Sequence, residues 1–426
     1  MSPTQSRLSA SACAGLVLVL AAGTTWAQQA PVDAASPQRP GATVTGPASP
    51  AGGSSMSDQA AAIGTVGPDI PAPDESQVFV LPPMTQPTPD QVRIPNAAEI
   101  VAWSRSGHAN AASPSFSHWN AEGSIPPACA SCHSGSGFRA LYGLDGGTAG
   151  PLTDPVQTGG VVDCDTCHNA GLAEVREIRL PNDMKHPVRG GEASCLTCHQ
   201  GRASGSAIIA AIGDRLDDQP DPELRFVNPH YAVAAATWLG GYGGLGYHYP
   251  GKEYAGRFLH ARPVATCVSC HEPHSLEVQT DTCKTCHDSA DARAIRISRY
   301  SHDGSGNLNQ GIHADIAGLA GRLQGMLTDY ARQVAGTPMI YQGDQHPYFF
   351  ADANADGVID EAGGKPVVYA SWTPRLLRAA YNWKFVTADS GAHAHNPHYA
   401  IQLLHDSAED LAGSLGIDFP GLQLIR

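Results

Sequence analysis

Ten of the eleven cysteines stand in five copies of one five-residue pattern. The copies are Cys129-Ala-Ser-Cys132-His133, Cys164-Asp-Thr-Cys167-His168, Cys195-Leu-Thr-Cys198-His199, Cys267-Val-Ser-Cys270-His271 and Cys283-Lys-Thr-Cys286-His287. Two thiols three residues apart lie on one face of a single helical turn, and the histidine that follows projects beside them. This spacing is the attachment signature for c-type haem: both thiols reach the vinyl groups of one porphyrin, and the imidazole is the proximal ligand of its iron. Zinc sites also use C-x-x-C pairs, but they have no need of a histidine after every second cysteine. Five disulfides would not need this spacing. The pattern predicts five covalently bound haems, with His133, His168, His199, His271 and His287 as proximal ligands.

Residues 1–27 read as a secretory signal peptide, with Arg7 ahead of the apolar run Leu16–Ala22 and cleavage before Gln28. The run is too short for a spanning helix, and the eleventh cysteine, Cys13, precedes it, which argues against a lipid anchor. The expectation is an exported chain without a transmembrane segment, in the periplasm or at the cell surface. Export would favour disulfides, but the motif spacing overrules that default. Residues 28–97 hold 13 of the 33 prolines among Ala, Gly, Ser and Thr. They read as a disordered linker, with a short apolar patch at Val78–Leu81.

Residues 98–309 contain all five motifs, and they are rich in glycine, proline and aspartate rather than periodic apolar positions. Short helices are expected near Ala97–Arg105 and Tyr231–Leu239, with loops elsewhere. Such a segment cannot easily build a core from side chains, and five porphyrins would supply one, much as metals staple small scaffolds. Residues 310–426 read as a helical C-terminal cap. Ile312, Ile316, Leu319, Leu323, Met326 and Tyr330 make one helical face. Thr373-Pro374 opens a second helix. Asn396-Pro397 opens a third, which Gly416 ends.

The sixth position on each iron separates electron transfer from catalysis. Of the 19 histidines, seven outside the motifs lie between residues 98 and 290. Candidate distal ligands are His118, His186, His230, His260, His274 and His108, with His248 and His395 in reserve. Met184 is the one methionine in that stretch. Five bis-histidine irons are therefore the economical reading. His393, His395 and His398 can be read as a metal cluster or as a helix-capping turn.

Asp352, Asn354, Asp356, Val358 (through its carbonyl) and Asp360 match the ligand positions of an EF-hand loop, with Gly357 at the turn. Gly363 stands where the bidentate glutamate should be, so calcium and a plain Asp/Asn/Gly turn both remain open. The formal net charge of -14 argues against a nucleic-acid partner and favours a basic protein or a cationic metal. Added electrons raise the pKa of nearby propionates and histidines, so potentials should fall as pH rises. No nucleophilic triad, phosphate loop or dinucleotide motif is present.

On these motifs the chain resembles the secreted multihaem c-type cytochromes of bacteria, which exchange electrons with periplasmic or extracellular partners. Weaker echoes are Ser106-Gly-His108, Phe116-Ser-His-Trp119 and Cys270-His-Glu-Pro-His274. The likeness covers roughly residues 98–426. It implies a mainly α fold with extensive loops and little β, organised around stacked, bis-His ligated haems. It also implies a wire or shuttle that serves redox partner proteins or extracellular acceptors; a soluble shuttle and a subunit that self-assembles into filaments both remain open. The alternative is an oxidoreductase reducing a small nitrogen or sulfur oxyanion, or a metal, at one open iron. The lysine-bearing motif typical of nitrite reductases is absent, and His302, Arg299 and Tyr300 show no convergent pattern, so no catalytic residue is nominated.

Overall fold

The computed structural model describes residues 94–262 and 264–426. The signal peptide and most of the linker, including Val78–Leu81, lie outside the described residues. All described residues fall in one compact unit, Gln86–Arg426.

Three helices supply its densest part, and each begins and ends where local chemistry dictates. Ile312–Gln333 buries Ile312, Ile316, Leu319, Leu323, Met326 and Tyr330 on one face, the stripe expected from a period near 3.6. Pro374–Thr387 starts on Thr373, whose side chain accepts from the Leu376 amide. Pro397–Leu415 starts on Asn396, which accepts from the Tyr399 amide, and stops at Gly416 with φ 65°. Side-chain caps satisfy amides that a helix start leaves free, and a left-handed glycine closes a helix end without a Cβ clash.

The helices pack on one another and on the loop-rich part of the chain. The Trp383 indole donates to the Ala320 carbonyl at 3.1 Å. The Tyr381 hydroxyl donates to the Leu245 carbonyl at 2.7 Å. Gly246 passes so close to the last helix that a Cβ there would lie 2.6 Å from the Tyr399 hydroxyl.

The motif-bearing part is built of short pieces. Its longest helix, Ala234–Gly243, has 10 residues. Strand structure among the described residues is confined to four two-stranded antiparallel pairs, among them Glu177–Arg179 with Lys185–Pro187, where Ile178 opposes His186. The protein is mainly α with little β. Phe138, Leu172, Leu196, Leu239 and Leu245 join the core of the three long helices.

Between Tyr249 and Ile312 the core stops. No apolar side chain described there is buried. Leu259 is 73% exposed and Ile297 80%. That stretch carries the fourth and fifth motifs, and polypeptide alone gives it no apolar interior.

Candidate haem sites

Each motif is wound as one turn. The first closes the helix Pro127–His133 and the second forms Cys164–His168, capped by the Asp163 carboxylate on the Thr166 amide at 3.0 Å. In the other three, the amide of the histidine donates to the carbonyl of the first cysteine: His199 to Cys195 at 3.1 Å, His271 to Cys267 at 2.9 Å and His287 to Cys283 at 2.9 Å. This is the i to i−4 bond of a helix, and it fixes both thiols and the imidazole relative to one another. None of the ten thiols is in a disulfide.

Every motif histidine faces a second histidine. Ring centres are 6.0 Å apart for His133 and His230, 6.0 Å for His168 and His274, 6.4 Å for His199 and His108, 6.4 Å for His271 and His395 and 6.2 Å for His287 and His260. The narrow range has a chemical meaning. Two imidazole nitrogens each about 2 Å from one metal are about 4 Å apart, and each ring centre lies about 1 Å farther out, giving about 6 Å in all. Stacking or hydrogen bonding alone would not impose one spacing on five separate pairs.

By sequence, this chain is similar to polyhaem c-type cytochromes. It is 26% identical over 369 residues to "C-type polyheme cytochrome OmcB" of Geobacter sulfurreducens, across 69% of this chain and 45% of that protein. It is 25% identical over 386 residues to "C-type polyheme cytochrome OmcC" of the same organism, across 74% of this chain and 46% of that one. The chain thus spans less than half the length of these relatives. No family model matches, and no solved structure matches.

Outer contacts turn the rings toward each other. Nδ1 of His133 lies 2.6 Å from the Ser115 carbonyl, that of His199 3.2 Å from Ala232 O and that of His271 3.3 Å from Leu276 O. A carbonyl on Nδ1 fixes the tautomer that presents Nε2 outward, as the partners of metal-binding histidines do. His274 and His395 use carboxylates instead, Glu272 at 3.1 Å and Asp389 at 2.8 Å. His230 sits at φ 84° with its amide on Asn228 Oδ1 at 3.0 Å, a costly backbone state of the kind that collects at functional sites. Burial, with Arg202 and His133 adding to it, pushes the His230 imidazole down to about 4. Nδ1 of His260 is buried with no hydrogen-bond partner.

Two sequence candidates pair with no motif histidine among the described residues. His118 is exposed, and its ring packs edge-on against Trp119 at 4.7 Å. His186 is buried in the 177–187 hairpin, with Nδ1 3.4 Å from the Tyr242 hydroxyl. His248, a reserve, hydrogen-bonds the Tyr399 hydroxyl at 2.8 Å. His395, another reserve, takes the place opposite His271. Its signal lay in the sequence, in Asp389 six residues before it, but nothing local linked it to the fourth motif. His393 faces His313 at 4.9 Å, and His398 is exposed.

The motifs also touch one another. The Cys132 thiol donates to the Thr197 carbonyl at 3.5 Å, and the Cys198 thiol reaches the Ser131 carbonyl at 3.9 Å. Ser194 donates to the Thr166 carbonyl at 2.9 Å. Cys195 and Cys267 lie close enough for each thiol to perturb the other. Gln279, just ahead of the fifth motif, donates its amide to the Cys270 carbonyl at 2.7 Å. The third motif therefore contacts the first, second and fourth, and the fifth hangs from the fourth.

In the 352–360 loop, Asp352 accepts from the Asp356 and Gly357 amides at 3.0 and 3.1 Å, Asn354 from Asp356 at 3.1 Å and Asp356 from Val358 at 2.8 Å. Asp360 accepts from the Ala353 amide at 2.7 Å. Gly363 lies in the turn joining Glu361–Ala362 to Lys365–Pro366, where it offers no side-chain oxygen. The acidic group His405, Asp406 and Glu409, not noticed from sequence, is engaged by Lys252 and Arg426. His302 is occupied structurally: Nδ1 lies 2.8 Å from Ile425 O and Nε2 2.8 Å from Ser298 Oγ.

No helix among the described residues is long and apolar enough to cross a membrane.

Proposed function

We propose that this chain is an electron-transfer protein with five covalently attached c-type haems, each held between a motif histidine and one distal histidine. The observation that carries the reading is the common 6.0–6.4 Å spacing of five imidazole pairs, each beside a cysteine pair. The likeness to polyhaem c-type cytochromes supports it.

The assignment is His133 with His230, His168 with His274, His199 with His108, His271 with His395 and His287 with His260. It takes four ligands from the sequence candidates, replaces His118 and His186, and adds His395. Bound haem iron supplies one-electron chemistry between two oxidation states. The chain's residues fix the tautomers, would offer each iron two imidazoles and hold the third motif against three others, which would make that site the junction of a branched path. Filling both positions at every site favours a carrier over a reductase, which needs an open iron.

We place the working protein in the periplasm or outside the cell, passing electrons to a redox protein or an extracellular acceptor, as a shuttle or as part of a filament. The 352–360 loop is proposed as a calcium staple, held by Asp352, Asn354, Asp356, Val358 O and Asp360. Calorimetry on the holoprotein should show calcium uptake that Asp356→Ala removes, and heats equal to dilution end that part of the proposal. For the main reading, mass spectrometry of purified holoprotein should give the processed chain plus five haems, with a wholly low-spin resonance spectrum. A colourless protein or fewer haems overturns it.

A further inference from the structure

Asp389 and His395 belong to one turn between the last two long helices, Asp389-Ser-Gly-Ala-His-Ala-His395. Nδ1 of His395 lies 2.9 and 2.8 Å from the two carboxylate oxygens of Asp389. The Asp389 side chain is 3% exposed. The Gly391 amide donates to Oδ1 at 2.9 Å, and Thr237 lies beside the carboxylate, its hydroxyl donating to the Val233 carbonyl at 3.3 Å. Gly391 makes room for the ring: a Cβ there would stand 2.5 Å from Cε1 of His395. Carboxylate, glycine and imidazole form one built unit, and His395 faces His271 across 6.4 Å.

We propose that Asp389 is the positioning residue of the fourth site, and that it gives the His271/His395 iron the lowest reduction potential of the five. This rests on the ligand pairing under Proposed function. A carboxylate accepting from Nδ1–H pulls the imidazole toward imidazolate, which makes it a stronger donor to the metal and stabilises the oxidised state. His133, His199 and His271 have only neutral carbonyls on Nδ1. His274 has the Glu272 carboxylate, but that side chain is 39% exposed, and water screens its charge far more than that of a buried group. Motif contacts put the fourth site between the third and the exposed fifth. The lowest potential there makes the fourth site an uphill intermediate for an electron crossing between the junction and the fifth site in either direction.

The test is a potentiometric titration of Asp389→Asn holoprotein, read by visible and paramagnetic resonance spectra. Asparagine keeps the shape and can still accept from Nδ1, but it removes the charge. The lowest of the five midpoint potentials should rise and one set of low-spin signals should shift. The His108/His199 site, also within range of this charge, should move less and the other three should hold still. Asp389→Glu, which restores the charge, should recover most of the low value. A lowest potential unchanged in D389N, five equal shifts, or a potential as high in D389E as in D389N each overturns the proposal. His395→Ala separates it from the pairing beneath it. One high-spin site out of five supports the pairing, so unmoved potentials in D389N then remove Asp389's role alone. Five low-spin sites in H395A remove the pairing, and this inference with it.

Discussion

Ser194 donates its hydroxyl hydrogen to the Thr166 carbonyl at 2.9 Å, joining the neighbour of Cys195 to the middle of the second motif. The same short helix, Glu192–Cys198, meets the first motif through Cys132 and Thr197 and the fourth through Cys195 and Cys267. One turn of chain thus touches three of the other four candidate sites.

Removing the third haem should therefore disconnect more than removing the fifth. Cys195→Ala/Cys198→Ala is expected to slow electron equilibration among the remaining sites by at least an order of magnitude after pulsed reduction. Cys283→Ala/Cys286→Ala should leave it near the wild-type rate. Equal rates in the two variants would contradict a junction at the third motif.

The paired imidazoles also differ in relative orientation. Those of His168 and His274 are 6° from parallel, whereas those of His133 and His230 stand at 80°. Parallel and perpendicular axial planes split the iron d-orbitals differently, so the low-spin resonance should resolve a rhombic and a strongly anisotropic class. His230→Ala should remove a strongly anisotropic signal and leave the His168/His274 signal intact.

The stability of the unit rests on the three long helices. Leu404 is fully buried in the last of them, and Leu404→Ala should cost about 2–5 kcal/mol through lost burial and the cavity left behind. Thr373 caps the preceding helix and also meets the Tyr330 hydroxyl at 3.1 Å. Thr373→Ala should cost about 1–2 kcal/mol. Denaturant titration of the holoprotein measures both.

His248 gives the protein an acid-sensitive joint away from the iron ligands. Burial pushes its imidazole down to about 4, with Asp406 opposing the shift. A histidine with a depressed folded-state pKa is neutral when folded and takes up a proton on unfolding below its ordinary value near 6.5. Stability is therefore full above about pH 6.5 and falls as pH drops toward 4. His248→Gln should flatten the pH dependence of unfolding in that window by roughly 1–3 kcal/mol. An unchanged slope would show that His248 is not the group responsible.

The three long helices were readable in the chain because their signals are local: an apolar stripe from Ile312 to Tyr330, Thr373-Pro374, Asn396-Pro397 and Gly416 all act within a turn or two. The five CxxCH positions were readable for the same reason, since two thiols and the following imidazole are set by one helical turn. The distal partners carry no such signal. His118 and His186 were candidates because they lie in the stretch that carries the motifs, yet one is exposed beside Trp119 and the other is enclosed by a hairpin against Tyr242. His395 reaches His271 only because the last two long helices place their connecting turn against the fourth motif. The sequence alone determined where two thiols and an imidazole stand together and which helices form, because those depend on neighbours along the chain. Which imidazole faces which, and which motif touches which, was decided by tertiary packing, because the partners lie far apart in sequence and meet only once the core around the long helices has formed.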